Sequence, residues 1–245
     1  MFMLQLVRVL FALVLDVLLL PVALCLVLAD LVLGEQTRKQ DVDLDLGILL
    51  VHGSGFNRLQ FLLAGPLIAW RVKRLRPELR VAVFAWNHEK FAGSKKATIK
   101  ELAENLRPRL TGIAVRRWVF VGHSLGGLLA AELCATVEPA ALVTIATPWK
   151  GAPLLDLKIC RRLPRHEDMA PDSQTLAELG RRTNEKNTTT KVYCLGSRSD
   201  LLVSGTSWLL YGRAGSAEWP WLGHYSLLAW PGVWLTTAKF VAEAV

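Results

Sequence analysis

The stretch FVGHSLGGLL, residues Phe120–Leu129, places a serine between glycines directly after an apolar run. Its central segment, Gly122–Gly126, fits the pattern G-x-S-x-G and lies between a predicted strand and a predicted helix. Small residues on both sides allow a tight turn that pushes the serine hydroxyl out of the sheet. The helix that follows directs its N–H groups and positive dipole end toward any anion formed there. We therefore predict that Ser124 is a catalytic nucleophile; the alternative is a glycine-rich helix start without chemistry.

A serine hydroxyl is a weak nucleophile and needs a base, which in turn needs an orienting carboxylate. When the serine follows a strand in this way, the acid and then the histidine come later in the chain. Two histidines follow the serine, and we predict that His224 is the base, since His166 falls inside a charged insertion. We predict that Asp200 is the acid because it follows a predicted strand, where catalytic groups collect in such sheets. The competing carboxylates lie in the insertion: Asp156, Glu167, Asp168 and Asp172.

Acyl chemistry at this serine also needs two N–H donors for the oxyanion of the tetrahedral intermediate. The first predicted donor is the amide of Leu125, directly after the serine. The second lies in the loop His52–Gly55, which follows an earlier predicted strand. We predict the amide of Ser54, with Gly55 or Phe56 as the alternatives if the register differs by one or two residues.

Short apolar runs alternate with longer helical patterns after residue 46. Unbroken β-branched and aromatic runs of this length are typical of strands buried on both faces of a parallel sheet. The predicted strands are 47–53, 81–87, 118–124, 141–148 and 191–197, and the predicted helices are 56–75, 94–110 and 124–137. This alternation predicts an α/β fold with a mainly parallel sheet and flanking helices. The charged interval 150–190 carries one further helical pattern, 173–182, and we predict that it is a lid.

The N-terminal segment 1–33 is predicted to be a membrane anchor. Its part Val9–Ala29 has 21 residues with one charge, Asp16, and one proline, Pro21. As a helix it would be roughly 31 Å long, which matches the hydrocarbon core of a bilayer, and the run is too long for a signal peptide. The alternative is a re-entrant or interfacial segment, because an intramembrane carboxylate is costly unless it is paired. Residues 34–46 are predicted as a linker or edge strand, and 47–245 as the catalytic domain.

The net charge of the chain indicates which partners it can attract. The 245-residue chain has a net charge of +8, carried by basic clusters at residues 71–80, 95–96, 116–117 and 161–166. Basic surfaces attract nucleic acid and anionic lipid alike, and beside an apolar anchor we expect lipid headgroups rather than nucleic acid. Each cluster taken alone is also typical of a solvated surface.

The four cysteines have no close spacing, so neither a zinc site nor a disulfide framework is indicated. The positive-inside rule does not decide which side of a cytoplasmic membrane holds the domain, and the oligomeric state stays open.

Five segments occur in an order that resembles the α/β-hydrolase superfamily, in particular its lipase and esterase branch. They are LLVHGSG, FVGHSLGG, TIATPWKGAP, SRSDLLVS and GHYSLL. The resemblance covers roughly residues 47–243. This branch includes bacterial triacylglycerol lipases and proteins similar to glycosylphosphatidylinositol inositol-deacylases. It implies the α/β-hydrolase fold and cleavage of carboxylic esters, often of lipids, without a cofactor. The segment 168–179 also resembles the lid of such lipases.

Together these features favour a serine hydrolase that cleaves lipid acyl esters through a Ser-His-Asp triad and an acyl-enzyme. Five of the nine tryptophans fall in the last forty residues and bracket His224, and tryptophan favours membrane interfaces and suits acyl chains. An acyltransferase would use the same residues and differ only in the acceptor. A catalytically inactive, membrane-tethered interaction module is a third hypothesis, against which the three intact triad residues argue.

Overall fold

The computed structural model describes residues 2–33, 43–88, 97–153, 166–171, 173–185 and 189–245. Within these residues, six strands form one sheet in which every neighbouring pair is parallel. The strands are β1 (Leu44–Val51), β2 (Val81–Trp86), β3 (Val115–His123), β4 (Ala141–Ile145), β5 (Lys191–Gly196) and β6 (Gly215–Glu218). Their order across the sheet is β2-β1-β3-β4-β5-β6, which confirms the predicted parallel α/β architecture.

Eight α-helices and one 3-10 helix are found in the described part of the chain. The helices are α1 (Phe2–Leu33), α2 (Ala64–Leu75), α3 (Ile99–Thr111), α4 (Leu125–Cys134), α5 (His166–Met169), α6 (Gln174–Thr183), α7 (Ser226–Ala229) and α8 (Pro231–Ala244), with the 3-10 helix at Arg58–Phe61. The predicted helix 56–75 is therefore divided, because Asn57 caps the 3-10 helix by accepting from the amide of Leu59 and α2 begins only at Ala64.

Two hydrophobic cores cover the two faces of the sheet. Side chains alternate across each strand, so that Leu49 faces one core while Ile48 and Leu50 face the other. The first core packs the sheet against α3, α4 and α6, and the second packs it against α2 and α8. Because both faces are covered, the central strands must be apolar where they are buried, which explains the apolar runs in the sequence.

The strand β6 is absent from our sequence prediction. Its residues, GSAE, have no large apolar side chain, and it lies at the edge of the sheet, where one side needs no pairing partner. Within the predicted lid interval the structure has α5 and α6, and the latter confirms the helical pattern 173–182 within about one residue. Residues 154–165, 172 and 186–188 of this interval, and 34–42 of the predicted linker, lie outside the described residues.

The N-terminal helix α1 packs along one side of the domain. Within the described residues, its segment Met3–Asp30 is the one helix long and apolar enough to cross a membrane, a criterion that a signal sequence also meets. The contacts of α1 with the domain run from Gln5, near its start, to Asp30, near its end, over about 38 Å of helix. Ala12 on this side is fully buried, whereas most of the large apolar residues of α1 are exposed.

Candidate active site

Ser124 occupies a sharp turn between β3 and α4. Its backbone has φ 54 and ψ −125, a region that residues other than glycine rarely adopt. The turn is held because the amide of Ser124 donates to the carbonyl of Ile145 at 2.8 Å, and the amide of Gly127 donates to the carbonyl of Ser124 at 3.0 Å. A strained backbone that the surroundings fix in this way is typical of functional sites. The observed strand, turn and helix match the context that the G-x-S-x-G pattern requires.

The glycines of this turn are required by close backbone contacts. A Cβ atom added at Gly122 would overlap the backbone of Gly126 and Gly127, which is the first turn of α4. A Cβ added at Gly126 would overlap the carbonyl groups of Val51 and His52 at the end of β1. Helix α4 can therefore pack tightly over β1 and β3 only because these positions lack side chains. This contact places the end of β1 beside the serine.

The predicted acid and the predicted base lie together. Nδ1 of His224 and Oδ2 of Asp200 are 2.7 Å apart, and both side chains are buried. Asp200 follows β5, and its other oxygen accepts from the amides of Leu202 and Val203 at 2.8 and 2.9 Å. Because an ionised carboxylate can only accept, Nδ1 of the histidine carries the proton, and Nε2 is left as the basic nitrogen.

The electrostatic surroundings of His224 favour its charged form. Burial alone would lower the pKa of the imidazole, but the charge and the hydrogen bond of Asp200 outweigh it, and Asp16 adds to their effect. The net result is a pKa above the ordinary histidine value. A base in this setting binds a proton more readily than a free imidazole does, and its imidazolium form is stabilised.

His123 connects the turn at Ser124 with the loop of His224. Nε2 of His123 donates to the carbonyl of His224 at 3.3 Å, and the centroids of the two rings are 4.7 Å apart. Burial lowers the pKa of His123 well below its ordinary value, and the nearby His224 lowers it further. His123 is therefore neutral and braces the two loops through a hydrogen bond rather than through charge.

The two predicted oxyanion donors differ in how closely the structure places them near Ser124. Leu125 is the first residue of α4 and is fully buried directly behind the serine. The loop after β1 passes close to Ser124, as a Cβ atom added at Gly53 would lie 3.1 Å from Cβ of that serine. Ser54, one residue further, is exposed. The amide of Phe56 donates to the carbonyl of Gly53 at 3.4 Å, so of the alternatives Gly55 remains.

One competing carboxylate is described, and it has a different role. Oδ2 of Asp168 accepts from the amide of Ile99 at the start of α3, and Oδ1 accepts from the hydroxyl of Thr175, both at 3.1 Å. This carboxylate therefore ties the segment before α6 to α3. The side chains of the other competitors, Asp156, Glu167 and Asp172, and of the alternative base His166, lie outside the described residues.

The structure adds one residue to this site that the sequence analysis did not place there. Oδ1 of Asp16, in the middle of α1, accepts from the amides of Tyr225 and Ser226 at 3.1 and 2.7 Å. These amides follow His224 directly. Gly223 permits the approach, because a Cβ at that position would overlap the carboxylate of Asp16. The signal in the sequence was the single carboxylate within an apolar stretch, which had to have a partner.

Comparisons with known proteins agree with this architecture. A model of the alpha/beta hydrolase family matches residues 48–233. No curated protein matches the sequence. Similar solved structures include a monoacylglycerol lipase from Paleococcus ferrophilus, with a TM-score of 0.55 and 14% identity over 81% of this chain and 95% of that one.

Two further structures are similar at the level of the fold. A carboxylesterase structure from Nitrososphaera gargenis has a TM-score of 0.57 and 12% identity over 82% of this chain and 91% of that one. A protein named as a non-haem bromoperoxidase from Mycobacterium tuberculosis has a TM-score of 0.61 and 13% identity over 86% of this chain and 100% of that one. The family match spans most of the chain, from within β1 to the first turn of α8. The chain therefore belongs to the alpha/beta hydrolase family.

Proposed function

We propose that the protein is a serine hydrolase of carboxylic esters, with Ser124 as nucleophile, His224 as base and Asp200 as the acid that orients it. The observation that carries the proposal is the 2.7 Å contact between Nδ1 of His224 and Oδ2 of Asp200. The loop of His224 meets the turn in which Ser124 is held at φ 54, because His123, directly before the serine, donates to the carbonyl of His224. One of the similar folds is named as a bromoperoxidase rather than an esterase, and one fold can host different chemistries, so the fold alone does not decide the reaction. The proposal therefore rests on the site residues.

The reaction follows from the roles of these groups. Nε2 of His224 takes the proton of the Ser124 hydroxyl as its oxygen attacks the ester carbonyl, and Asp200 stabilises the imidazolium that forms. The amides of Leu125 and Ser54 are the proposed donors to the oxyanion of the tetrahedral intermediate. His224 then gives its proton to the leaving alcohol, which produces the acyl-enzyme. Attack by water, with His224 again as base, releases the acid and restores the serine.

A lipid substrate is supported by the apolar surface around α1. The outward side of this helix exposes a row of leucine, valine and phenylalanine side chains. Leu62 and Leu63, which line a cavity with α1, are 58% and 84% exposed, and Trp221 and Trp230, which line a second cavity with α1, are 40% and 52% exposed. Exposed apolar residues that form one continuous face mark a membrane or partner site. We propose that this face anchors the protein to a bilayer.

We expect the enzyme to prefer medium or long acyl esters over acetate. Each buried methylene contributes about 0.8 kcal/mol, so four additional buried carbons contribute roughly 3 kcal/mol. If that gain is retained in the transition state, kcat/KM rises about a hundredfold. The measurement is the hydrolysis of p-nitrophenyl acetate, butyrate and octanoate below their micelle-forming concentrations, with and without vesicles of anionic lipid.

The control for this measurement is Ser124→Ala, whose rate is subtracted as the blank. Sedimentation with the vesicles reports on the anchor in the same samples. If acetate is hydrolysed as efficiently as octanoate and vesicles give no stimulation, the protein is a small-ester esterase, and the lipid part of the proposal is wrong.

A further inference from the structure

In the part of the chain that the structure describes, two apolar cavities lie between α1 and the domain. The first, here named the Phe56 cavity, has a volume of about 320 Å³ and lies between α1 residues 19–26, the 3-10 helix, α2 and α7. The second, here named the Trp221 cavity, has a volume of about 550 Å³ and lies between α1 residues 11–19, the loop 219–222 and α7. Leu19 and Ala229 line both, so the two cavities are neighbours. Both volumes fall in the range of small-molecule sites.

The Phe56 cavity begins at the catalytic loops. Phe56 follows the proposed oxyanion loop, and Tyr225 follows His224; the centroids of their rings are 5.2 Å apart. Both side chains line the cavity. Apart from Gln60 and Tyr225, its lining is apolar. The Trp221 cavity includes neither ring of this pair.

The wall that α1 contributes is held in place by polar contacts on both sides of it. Asp16 binds the amides after His224, as described above. At the other end, Asp30 forms a partly buried ion pair with Arg58 at 2.7 Å and accepts from Nδ2 of Asn87 at 2.6 Å. The side chain of Asn57 also donates to the carbonyl of Leu26 at 3.2 Å. The part of α1 between these contacts therefore has a fixed position against the domain.

We propose that the Phe56 cavity binds the acyl chain of the substrate, so that the N-terminal helix forms one wall of the substrate site. This inference rests on the proposed function. An ester carbonyl at Ser124 can direct its chain past the Phe56–Tyr225 pair into apolar surroundings. Leu62 and Leu63, at the cavity's rim, are exposed on the side that we propose meets the bilayer, so an acyl chain can enter from lipid without crossing water.

The test fills each cavity separately. Ala23 lines only the Phe56 cavity, and Leu18 lines only the Trp221 cavity, while Leu24 lines neither. Each is replaced by tryptophan in the full chain, and kcat/KM is measured for p-nitrophenyl octanoate and acetate. Both values are measured on the same sample of each variant, so their ratio does not depend on the fraction of folded enzyme.

We expect Ala23→Trp to lower the octanoate-to-acetate ratio about tenfold or more, which corresponds to the exclusion of two methylenes. The milder Ala23→Leu should lower it less, and Leu18→Trp and Leu24→Trp should leave it unchanged. An unchanged ratio in Ala23→Trp, or an equal fall in Leu18→Trp, overturns the inference while ester hydrolysis stands. Absence of Ser124-dependent turnover of every ester overturns the proposed function, and this inference with it.

The hydrogen bonds of Asp16 support a second inference. We infer that Asp16 is a positioning residue for His224. Its carboxylate holds the two amides that directly follow the histidine, and the hydroxyl of Ser226 in turn accepts from the amide of Gly223 on the other side, at 2.7 Å. The loop Gly223–Ser226 is thus fixed from α1. The ionisable groups that face the imidazole are Asp200 from the loop after β5, Asp16 from α1, His123 from the end of β3 and the neighbouring Tyr225.

Two substitutions at Asp16 separate its effect on the position of the loop from the effect of its charge on His224. Asp16→Asn keeps an oxygen that can accept from both amides but removes the negative charge. That charge contributes to the raised pKa of His224, so its loss lowers this pKa. Because the base must be neutral, the acid limb of the pH profile of kcat/KM should move to lower pH, with little change in the plateau.

Asp16→Ala removes the acceptor as well as the charge. We expect its plateau kcat to fall by about ten- to a hundredfold through misplacement of His224, while KM for acetate changes little. A merely structural role predicts that both variants lose activity in parallel with folded protein, with no shift of the acid limb. That result, or an Asp16→Ala enzyme with a normal plateau, contradicts the inference.

Discussion

Replacing Asp200 by asparagine should lower kcat by about 10⁴ while the fold is retained. The carboxylate of Asp200 accepts the Nδ1 proton of His224 at 2.7 Å, and this contact holds the tautomer in which Nε2 is basic. An asparagine in the same position can present its NH₂ group to Nδ1, which then favours the opposite tautomer. The rate is measured with the preferred p-nitrophenyl ester, and circular dichroism monitors the fold.

Asp168→Asn is the matched control for this prediction. Its carboxylate accepts hydrogen bonds from Ile99 and Thr175, away from the histidine, so its loss should reduce stability rather than turnover of the folded enzyme. An Asp200→Asn enzyme with near-normal kcat, combined with a large loss in Asp168→Asn or in another carboxylate of the 150–190 interval, would show that the acid is assigned wrongly.

Ser124→Ala should reduce kcat by about 10⁶, to the level that binding and oxyanion contacts alone sustain. The change removes one hydroxyl and leaves the contact between Asp200 and His224 in place. Ser54→Ala is the control, because its proposed donor is the backbone amide, which alanine keeps. We expect Ser54→Ala to remain within a few-fold of the unaltered enzyme, whereas equal losses in both variants would point to a structural effect of serine removal.

The architecture of the sheet was predictable because burial on both faces imposes a simple pattern. Strands β1 to β5 each contain a run of mostly apolar residues, and each lies within a few residues of its predicted position. The strand β6 has small and polar residues at the sheet edge, where neither face demands a large apolar side chain, so no local pattern indicates it. The divided helix before α2 depends on the cap at Asn57, a local hydrogen bond that periodicity does not show.

The predicted acid and base could be brought together by chain order and strand-end position alone, because parallel strands place their carboxyl ends at one edge of the sheet. The contact between α1 and the loop of His224 could not be predicted in this way. Its length and composition match a membrane span, and nothing in that pattern specifies which loop Asp16 meets. The contacts of Asp16 and Asp30 join residues that are far apart in the sequence, and they exist only once the helix packs on the domain.

The most direct test of the proposed serine chemistry is covalent labelling with a fluorophosphonate, followed by mass spectrometry of the modified peptide. A fluorophosphonate reacts with a serine only where a base activates the hydroxyl and amides stabilise the phosphoryl oxygen. The proposed chemistry predicts one label per chain on Ser124, none in Ser124→Ala, and much slower labelling in Asp200→Asn. Failure of the intact, folded chain to react, or a label on a different serine, would contradict it and favour an inactive interaction module or another catalytic centre.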